Sequence, residues 1–342
     1  MKFYFWKELV LGVSIFLLSC NTAYDNTPVQ LEYPNYFPKP IPSPDRNPLT
    51  KQGIELGKKL FYDKSLSGSG KVSCASCHIQ SLSFSDGKKV SSNNVSNINL
   101  ERNSPALINL AWINKLFWDG GVKNLESLPF AALTNPEEMD GNLNDIVVYI
   151  NGDSSYQGAF KRAFNIDSIS SAHIARAMAQ FQRTLISTNS KYDNVQMGRA
   201  SFSNDELKGQ ELFSSNCSSC HTPPLFTDNS FHNNGLDSDF PTKNADVRAG
   251  RFRITLDSTD LGKFKTPTLR NLKFTGPFMH DGRFSTLDAV LKYYSNGVKM
   301  SGTLDPLVLR IQLSEDDNIL IRAFLNTLND QDFLTSKEYG SQ

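Results

Sequence analysis

Long apolar runs, a dominant charge and a plentiful supply of metal-binding side chains are all missing from this 342-residue chain. Lys+Arg and Asp+Glu are both 35, so no global basic field argues for a nucleic-acid partner. No internal apolar stretch approaches the roughly 20 residues of a membrane span. Alternating strand patterns are few and short, with Arg251–Thr255 as an example, which argues against an all-β fold. Cysteine and histidine are held to five each, so any chemistry resting on them is confined to a few points. What is present is apolar material: 39% of the residues, with 23 Phe. That is enough to build real cores and excludes wholesale disorder. The length favours two compact domains over one.

The N-terminus has the form of an export signal. Lys2 and Lys7 precede an apolar stretch from Leu9 to Leu18, and Ser19-Cys20 follows. A Cys at that point resembles a bacterial lipobox, which implies cleavage of residues 1–19 and lipidation of Cys20. Leu at the second-last position departs from the small residue usual there. Removal of Lys2, Lys7 and Glu8 leaves the charge near balance. Residues 20–46, with Pro34, Pro38, Pro40, Pro42 and Pro44, read as an extended tether. The expected location is the periplasm or the cell-envelope surface.

A repeat follows. Gly57-Lys-Lys-Leu60-Phe61 precedes Cys74-Ala-Ser-Cys77-His78, and Gly209-Gln-Glu-Leu212-Phe213 precedes Cys217-Ser-Ser-Cys220-His221. Each copy reads as a helix leading into a cysteine loop. The polar stretch Ser190–Asn204 is the expected boundary, giving an N-terminal domain over residues 47–195 and a C-terminal one over 196–335. Ile174, Met178, Phe181 and Leu185 mark one face of a helix over Ser171–Ser187. Ser314 begins a helix whose Leu320, Phe324 and Leu328 recur every four residues, and Thr286–Tyr294 is helical too. Ser81–Asn99 and Thr227–Ala249 read as loops, the second too long to be a mere connection. The expected fold is mostly α: two similar domains packed together, with long loops.

Cys-x-x-Cys-His, occurring twice, carries the chemistry. Two thiols three residues apart can form thioethers with both vinyl groups of one haem, and the following His is then held beneath the iron. A zinc ribbon would need its two pairs far closer in sequence, and a dithiol redox pair needs no His. Two covalent haems c are expected, on Cys74 and Cys77 with His78, and on Cys217 and Cys220 with His221, so the two packed α domains are expected to be cytochrome c-like haem domains. No His lies between His78 and His173, which leaves the first iron open or water-bound, with Met139 the nearest Met. Around the second iron the candidates are Met279, His280, Tyr294 and Met300.

The chain resembles the bacterial dihaem cytochrome c peroxidase and MauG family. The likeness rests on Arg102-Asn103-Ser104-Pro105, Phe117-Trp118-Asp119-Gly120, Asn135-Pro136-Glu137-Glu138-Met139, Phe181-Gln182-Arg183, Lys265-Thr-Pro-Thr-Leu-Arg270-Asn271 and Pro277-Phe-Met-His280-Asp281-Gly282, in that order, with both haem motifs. It implies a peroxide-reacting N-terminal haem, an electron-storing C-terminal haem and Trp118 between them. It also implies that Glu138 moves the peroxide protons. Fourteen residues after His280 the family places an axial ligand, Met in peroxidases and Tyr in MauG types; here it is Tyr294, with Met279 and Met300 as lesser options. A calcium ion is implied on the Asn103 side chain and the carbonyls of Thr275 and Pro277. His173 and His232 are expected to make hydrogen bonds rather than bind iron, with His280 near a haem edge.

Two departures bear on function. The loop Ile79–Glu101 has no His to close the first iron, a MauG-like trait, and Leu128 stands where the family often has Gln beside the distal Glu. The expected activity is therefore a dihaem peroxidase reducing hydrogen peroxide with electrons from a small cytochrome or cupredoxin. The alternatives are MauG-like oxidation of a partner protein or small molecule, and a non-enzymatic dihaem electron-transfer cytochrome. A homodimer is admitted, and contact with a membrane is expected only through the lipid anchor.

Overall fold

The computed structural model describes residues 27–92, 94–96, 98–240 and 247–341. Cys20 and the leader of residues 1–19 lie outside the described residues. Twelve helices are described: α1 (Lys51–Tyr62), α2 (Cys74–Cys77), α3 (Leu128–Thr134), α4 (Leu143–Gly152), α5 (Ser154–Phe164), α6 (Ser171–Arg183), α7 (Lys191–Gln196), α8 (Asn204–Asn216), α9 (Phe252–Thr255), α10 (Leu287–Asn296), α11 (Glu315–Asn326) and α12 (Gln331–Thr335). The only sheet among the described residues pairs β1 (Phe231–His232) with β2 (Phe264–Lys265), antiparallel. The fold is mostly α, as expected. No described helix is long and apolar enough to cross a membrane.

Helix starts follow side-chain chemistry. Thr50 Oγ1 accepts from the Gly53 N–H at 3.1 Å to open α1. Ser203 with Glu206, and Ser314 with Asp317, form reciprocal caps on α8 and α11. The apolar stripes then pair these helices: α1 lies on α6, and α8 lies on α11. The repeated glycine explains how closely. A Cβ on Gly57 would run into the Ala177 carbonyl, and one on Gly209 into the Leu320 carbonyl. In each half, Gly at the crossing lets the helix before the cysteine loop touch the backbone of a later one. The Leu and Phe that follow it are Leu60 and Phe61 in the first half and Phe213 in the second, all essentially fully buried.

Two segments depart from expectation, and the expected boundary proves tightly packed. Residues 28–41 are not a free tether. Val29 N–H donates to the Leu49 carbonyl at 2.7 Å and Ile41 N–H to that of Ala111 at 2.9 Å. The Trp112 indole donates to the Pro38 carbonyl at 2.7 Å, and Phe37 is buried against the same ring. The prolines set an extended course, and the interleaved aromatics fasten it as a strap. Arg251–Thr255 is not a strand but belongs to the turn of α9, because the N–H groups of Arg253, Ile254 and Thr255 are satisfied locally: Ile254 and Thr255 donate to the Arg251 carbonyl at 2.9 and 3.2 Å. Ser190–Asn204 contains α7, whose Asp193 is a fully buried partner of Arg270, with bonds of 2.8 and 2.9 Å. Arg270 also donates to the Pro224 carbonyl, and Tyr36 of the strap donates to Asp193 at 2.6 Å. The polar stretch at the expected boundary is thus a locked joint.

Sequence order and packing also part company at the C-terminus. Phe333 and Leu334 of α12 join the core cluster that holds Phe61, Phe84 and Phe181. Gln80 donates to the Ser336 carbonyl at 2.8 Å and Tyr62 to that of Tyr339 at 2.7 Å, so the last residues clamp the loop after the first cysteine motif.

Gly209→Ala is expected to destabilise the protein by about 1–3 kcal/mol through overpacking at the α8–α11 crossing. A lowered melting temperature checks this, and an unchanged one would contradict the crossing argument.

Candidate functional site

The two cysteine motifs are built alike. Cys74 and Cys77 sit on the single turn of α2, and the His78 N–H donates to the Cys74 carbonyl at 2.9 Å. Cys217 follows α8, and the His221 N–H donates to the Cys217 carbonyl at the same distance. None of the four cysteines forms a disulfide among the described residues. Burial pushes Cys74 and Cys217 up to about 12, so neither is an exposed, activated thiolate of the kind a dithiol redox pair uses.

Each His is aimed by a backbone carbonyl. His78 Nδ1 lies 2.7 Å from the Phe84 oxygen, and His221 Nδ1 lies 3.2 Å from that of Phe226. A carbonyl only accepts, so Nδ1 carries the proton and Nε2 keeps its lone pair for a metal. Phe84 and Phe226 both have left-handed backbone, with φ of 57° and 55°, and both side chains are fully buried. A buried Phe anchors each turn while its carbonyl faces the imidazole. Burial lowers the proton affinity of both imidazoles, which favours the neutral form that ligates iron. The thiol pair, a free Nε2 and a facing apolar cavity fit a covalently held haem in both halves.

A cavity of about 700 Å³ runs past both motifs. Trp118 lines it and is pinned from both halves. Its indole donates to the Asn103 carbonyl at 2.9 Å, and its own carbonyl accepts from the Lys265 N–H at 2.8 Å. It rides on a hairpin closed by the Leu116–Val122 bridge, with left-handed backbone at Phe117 and Gly120. A Cβ on Gly120 would strike the Phe231 ring, so the tight tip needs glycine.

Glu138 lines the same cavity, half-buried, while its neighbour Glu137 is exposed. The Asn135 amide donates to Glu138 Oε1 at 2.9 Å. Burial raises the Glu138 carboxyl above the ordinary value; the Asn135 bond opposes this and Glu137 adds to it. Leu128 and Pro129 form apolar wall nearby. Met139 is buried in the core cluster of Leu133 and Ile146 as well as at the cavity wall.

At the other end, Tyr294 and Met279 both line the cavity. Asn234 Nδ2 donates to the Tyr294 hydroxyl at 3.1 Å and lies 3.6 Å from Met279 Sδ. Burial pushes the Tyr294 phenol up to about 12. Met300 does not join them. It is 66% exposed, on a surface turn beyond α10, which removes it as a candidate ligand. His280 is buried and stacked on Phe264, with centroids 3.6 Å apart, and its carbonyl accepts from Asn103 N–H at 2.9 Å. His232 spends both ring nitrogens on carboxylates, Nδ1 on Asp305 at 2.6 Å and Nε2 on Asp228 at 2.8 Å. His173 caps its own helix through Ser170.

Asn103, Thr275 and Pro277 all line the shared cavity. The Asn103 amide nitrogen donates to the Lys88 carbonyl at 2.7 Å, so of its side-chain atoms only the oxygen could meet a cation. No cluster of three His, Cys, Asp or Glu able to hold a metal occurs among the described residues. A cation here would therefore rest on neutral oxygens.

The Phe carbonyls escaped sequence reasoning. A signal existed: Phe84-Ser85-Asp86 and Phe226-Thr227-Asp228 follow their haem motifs at similar distances. It went unread because the acting atom is a main-chain oxygen, which no side-chain motif announces.

Paired thiols, two aimed imidazoles and a shared apolar cavity define a helical protein of the covalent dihaem class. The family model described as di-haem cytochrome c peroxidase matches residues 51–201 and 193–332. The chain is 36% identical over 334 residues to methylamine utilization protein MauG of Methylorubrum extorquens, covering 94% of this chain and 93% of the relative. It is 34% identical to cytochrome-c peroxidase IdrP1 of Denitromonas iodatirespirans, over 81% of this chain and 82% of that one. Among solved structures, a MauG-like protein associated with microbial copper homeostasis superposes with a TM-score of 0.85 at 32% identity, covering 91% of this chain and 99% of the other. The chain belongs to the di-haem cytochrome c peroxidase family, a family of oxidoreductases, and membership implies two c-type haems.

The bonds to Asp228, first, and Asp305 raise the proton affinity of His232 above its ordinary value of 6.5. The folded value thus exceeds the unfolded one, and the stability it contributes is full below about pH 6.5 and lost as pH rises through the folded value. Relative to His232→Gln, the parent should gain most in melting temperature in mildly acidic buffer and progressively less toward alkaline pH. A gap that does not vary with pH would contradict the doubly bonded imidazolium.

Proposed function

We propose that this protein is a dihaem peroxidase that reduces hydrogen peroxide beside His78 and draws electrons through the second haem from a small redox protein. Cys74 and Cys77 would hold the first haem with His78 as ligand, and Cys217 and Cys220 the second with His221 and Tyr294. Haem bound there would supply the electrons that cleave the O–O bond, to be replaced from the donor. Overall, one peroxide, two electrons and two protons give two waters.

The chain's own part is proton handling and placement. Glu138, kept as a carboxylate, accepts the proton from the near oxygen of peroxide and returns it to the far oxygen, which leaves as water. Leu128 and Pro129 keep that pocket apolar, which strengthens the carboxylate's pull on the proton. Trp118, fixed by Asn103 and Lys265, bridges the two halves for electron transfer. The Asn103 side chain, with the Thr275 and Pro277 carbonyls, would hold calcium and tie the halves together. The observation that carries this reading is a carboxylate and an aimed imidazole on one cavity, with no second His in Ile79–Glu101 to close the first iron.

A MauG-like oxidation of a partner protein or small molecule is the second reading. Tyr294 at the cavity wall, bonded by Asn234, favours it, since a phenolate ligand stabilises ferric iron. The site of action would be the periplasm or the envelope surface, reached by export and a lipid on Cys20.

Glu138→Gln should slow the reaction with peroxide by about 10²-fold or more while both haems stay attached; stopped-flow absorbance reads it, and unchanged kinetics would remove Glu138 from the mechanism. Tyr294→Phe should change the low-spin ferric spectrum, whereas an identical spectrum would pass the ligand role to Met279. Turnover with reduced cytochrome separates the first reading from the second, which instead predicts a long-lived oxidised state without a donor.

A further inference from the structure

The distal carboxylate has a neighbour whose geometry goes beyond the family pattern seen in the sequence. At the position where an amide is usual beside it, this chain has Leu128, a buried apolar residue that offers no hydrogen bond. Asn135 grips Glu138 twice instead. The Asn135 carbonyl accepts from the Glu138 N–H at 3.0 Å, and the side-chain Nδ2 donates to Glu138 Oε1 at 2.9 Å. The amide cannot be turned the other way without loss, because its Oδ1 accepts from the Glu137 N–H at 3.0 Å. This Asx turn sets which end of the amide faces the carboxyl. The same turn is anchored further by the Asp140 N–H on the Asn135 carbonyl at 2.9 Å and by the Val95 N–H on the Glu138 carbonyl at 2.9 Å. One carboxyl oxygen is thus occupied, and Oε2 has no protein partner among the described residues.

We propose that Asn135 is the positioning residue of the distal carboxylate, holding Oε1 so that Oε2 is the oxygen that takes and returns the peroxide proton, in place of the amide that Leu128 lacks. The proposal rests on the reading of Glu138 as the proton carrier. Asn135 does not touch peroxide; it fixes the carboxyl plane and keeps the group ionised. Burial and the neighbouring Glu137 both favour the neutral acid, and the Asn135 donor is the one contact that favours the anion. The sulfurs of Cys74 and Cys77 also face the group across the cavity, and as thioethers they would not titrate. Without the donor, Glu138 protonates at higher pH, so the acid limb of the peroxide rate profile moves up.

The test uses the full dihaem protein and compares Asn135→Asp and Asn135→Ala with Glu138→Gln. Asn135→Asp keeps the acceptor for the Glu137 N–H and loses only the donor, so the turn survives. Asn135→Ala removes both and covers the case in which the added charge prevents haem attachment. The readouts are the second-order rate of the ferric protein with peroxide across pH, and the ferric absorption spectrum. Expected are a rate about tenfold or more lower at neutral pH, an acid limb displaced upward, and an unchanged spectrum of the second haem. If the Asn135 variants keep the parent's rate and pH profile while Glu138→Gln is slow, the positioning role is overturned and the proton-carrier reading stands. If Glu138→Gln is itself as fast as the parent, that reading fails and the positioning role falls with it.

Discussion

Everything in this molecule depends on two imidazoles being held by backbone carbonyls so that both present a bare Nε2 to one cavity. The bonds from His78 to Phe84 and from His221 to Phe226 set the tautomer, the ring plane and the basicity of each ring at once. They require a left-handed turn at a non-glycine residue, which costs of order 1 kcal/mol. A fully buried phenyl ring offsets that cost and leaves the turn no easy escape. The unit is used twice, which is why the halves look alike in local structure as well as in sequence.

The surrounding architecture serves this geometry. Glycine at each helix crossing draws the helices close enough to back the cysteine loops. Arg270, buried with Asp193, ties the strap, α7 and the second motif's loop into one joint. Removing one partner of such a pair would leave an uncompensated buried charge, so the joint resists piecemeal change. The C-terminal residues return to pack on Phe84 and Gln80, so the end of the chain braces the first His. Trp118 then occupies ground that neither half controls alone, hung from Asn103 on one side and Lys265 on the other.

Much of this was legible in the amino acids. The doubled Cys-x-x-Cys-His named the chemistry, and helices α6 and α11 followed from apolar residues three or four apart. The strap was not legible: Pro-rich composition reads as a spacer, and only its contacts reveal that Tyr36, Phe37 and Pro38 are anchors. Asp193 was hidden in a polar stretch because its partner lies far away in sequence. Arg251–Thr255 misled because five residues are too few for alternation to distinguish a strand from a capped turn. Met300 was a reasonable candidate by distance along the chain, but its turn carries it into solvent. Asn135 stood within a quoted motif, yet its bond to Glu138 needs coordinates to be seen.

The central claim is that two covalently tethered haems share this cavity and that only the first, above His78, keeps an exchangeable face. Electron paramagnetic resonance of the ferric protein, made in a host that matures c-type cytochromes, addresses it directly. The account predicts one high-spin and one low-spin signal of equal weight, with the high-spin one converting on addition of cyanide. Two low-spin signals that cyanide leaves untouched, or a polypeptide bearing no covalent haem, would contradict it.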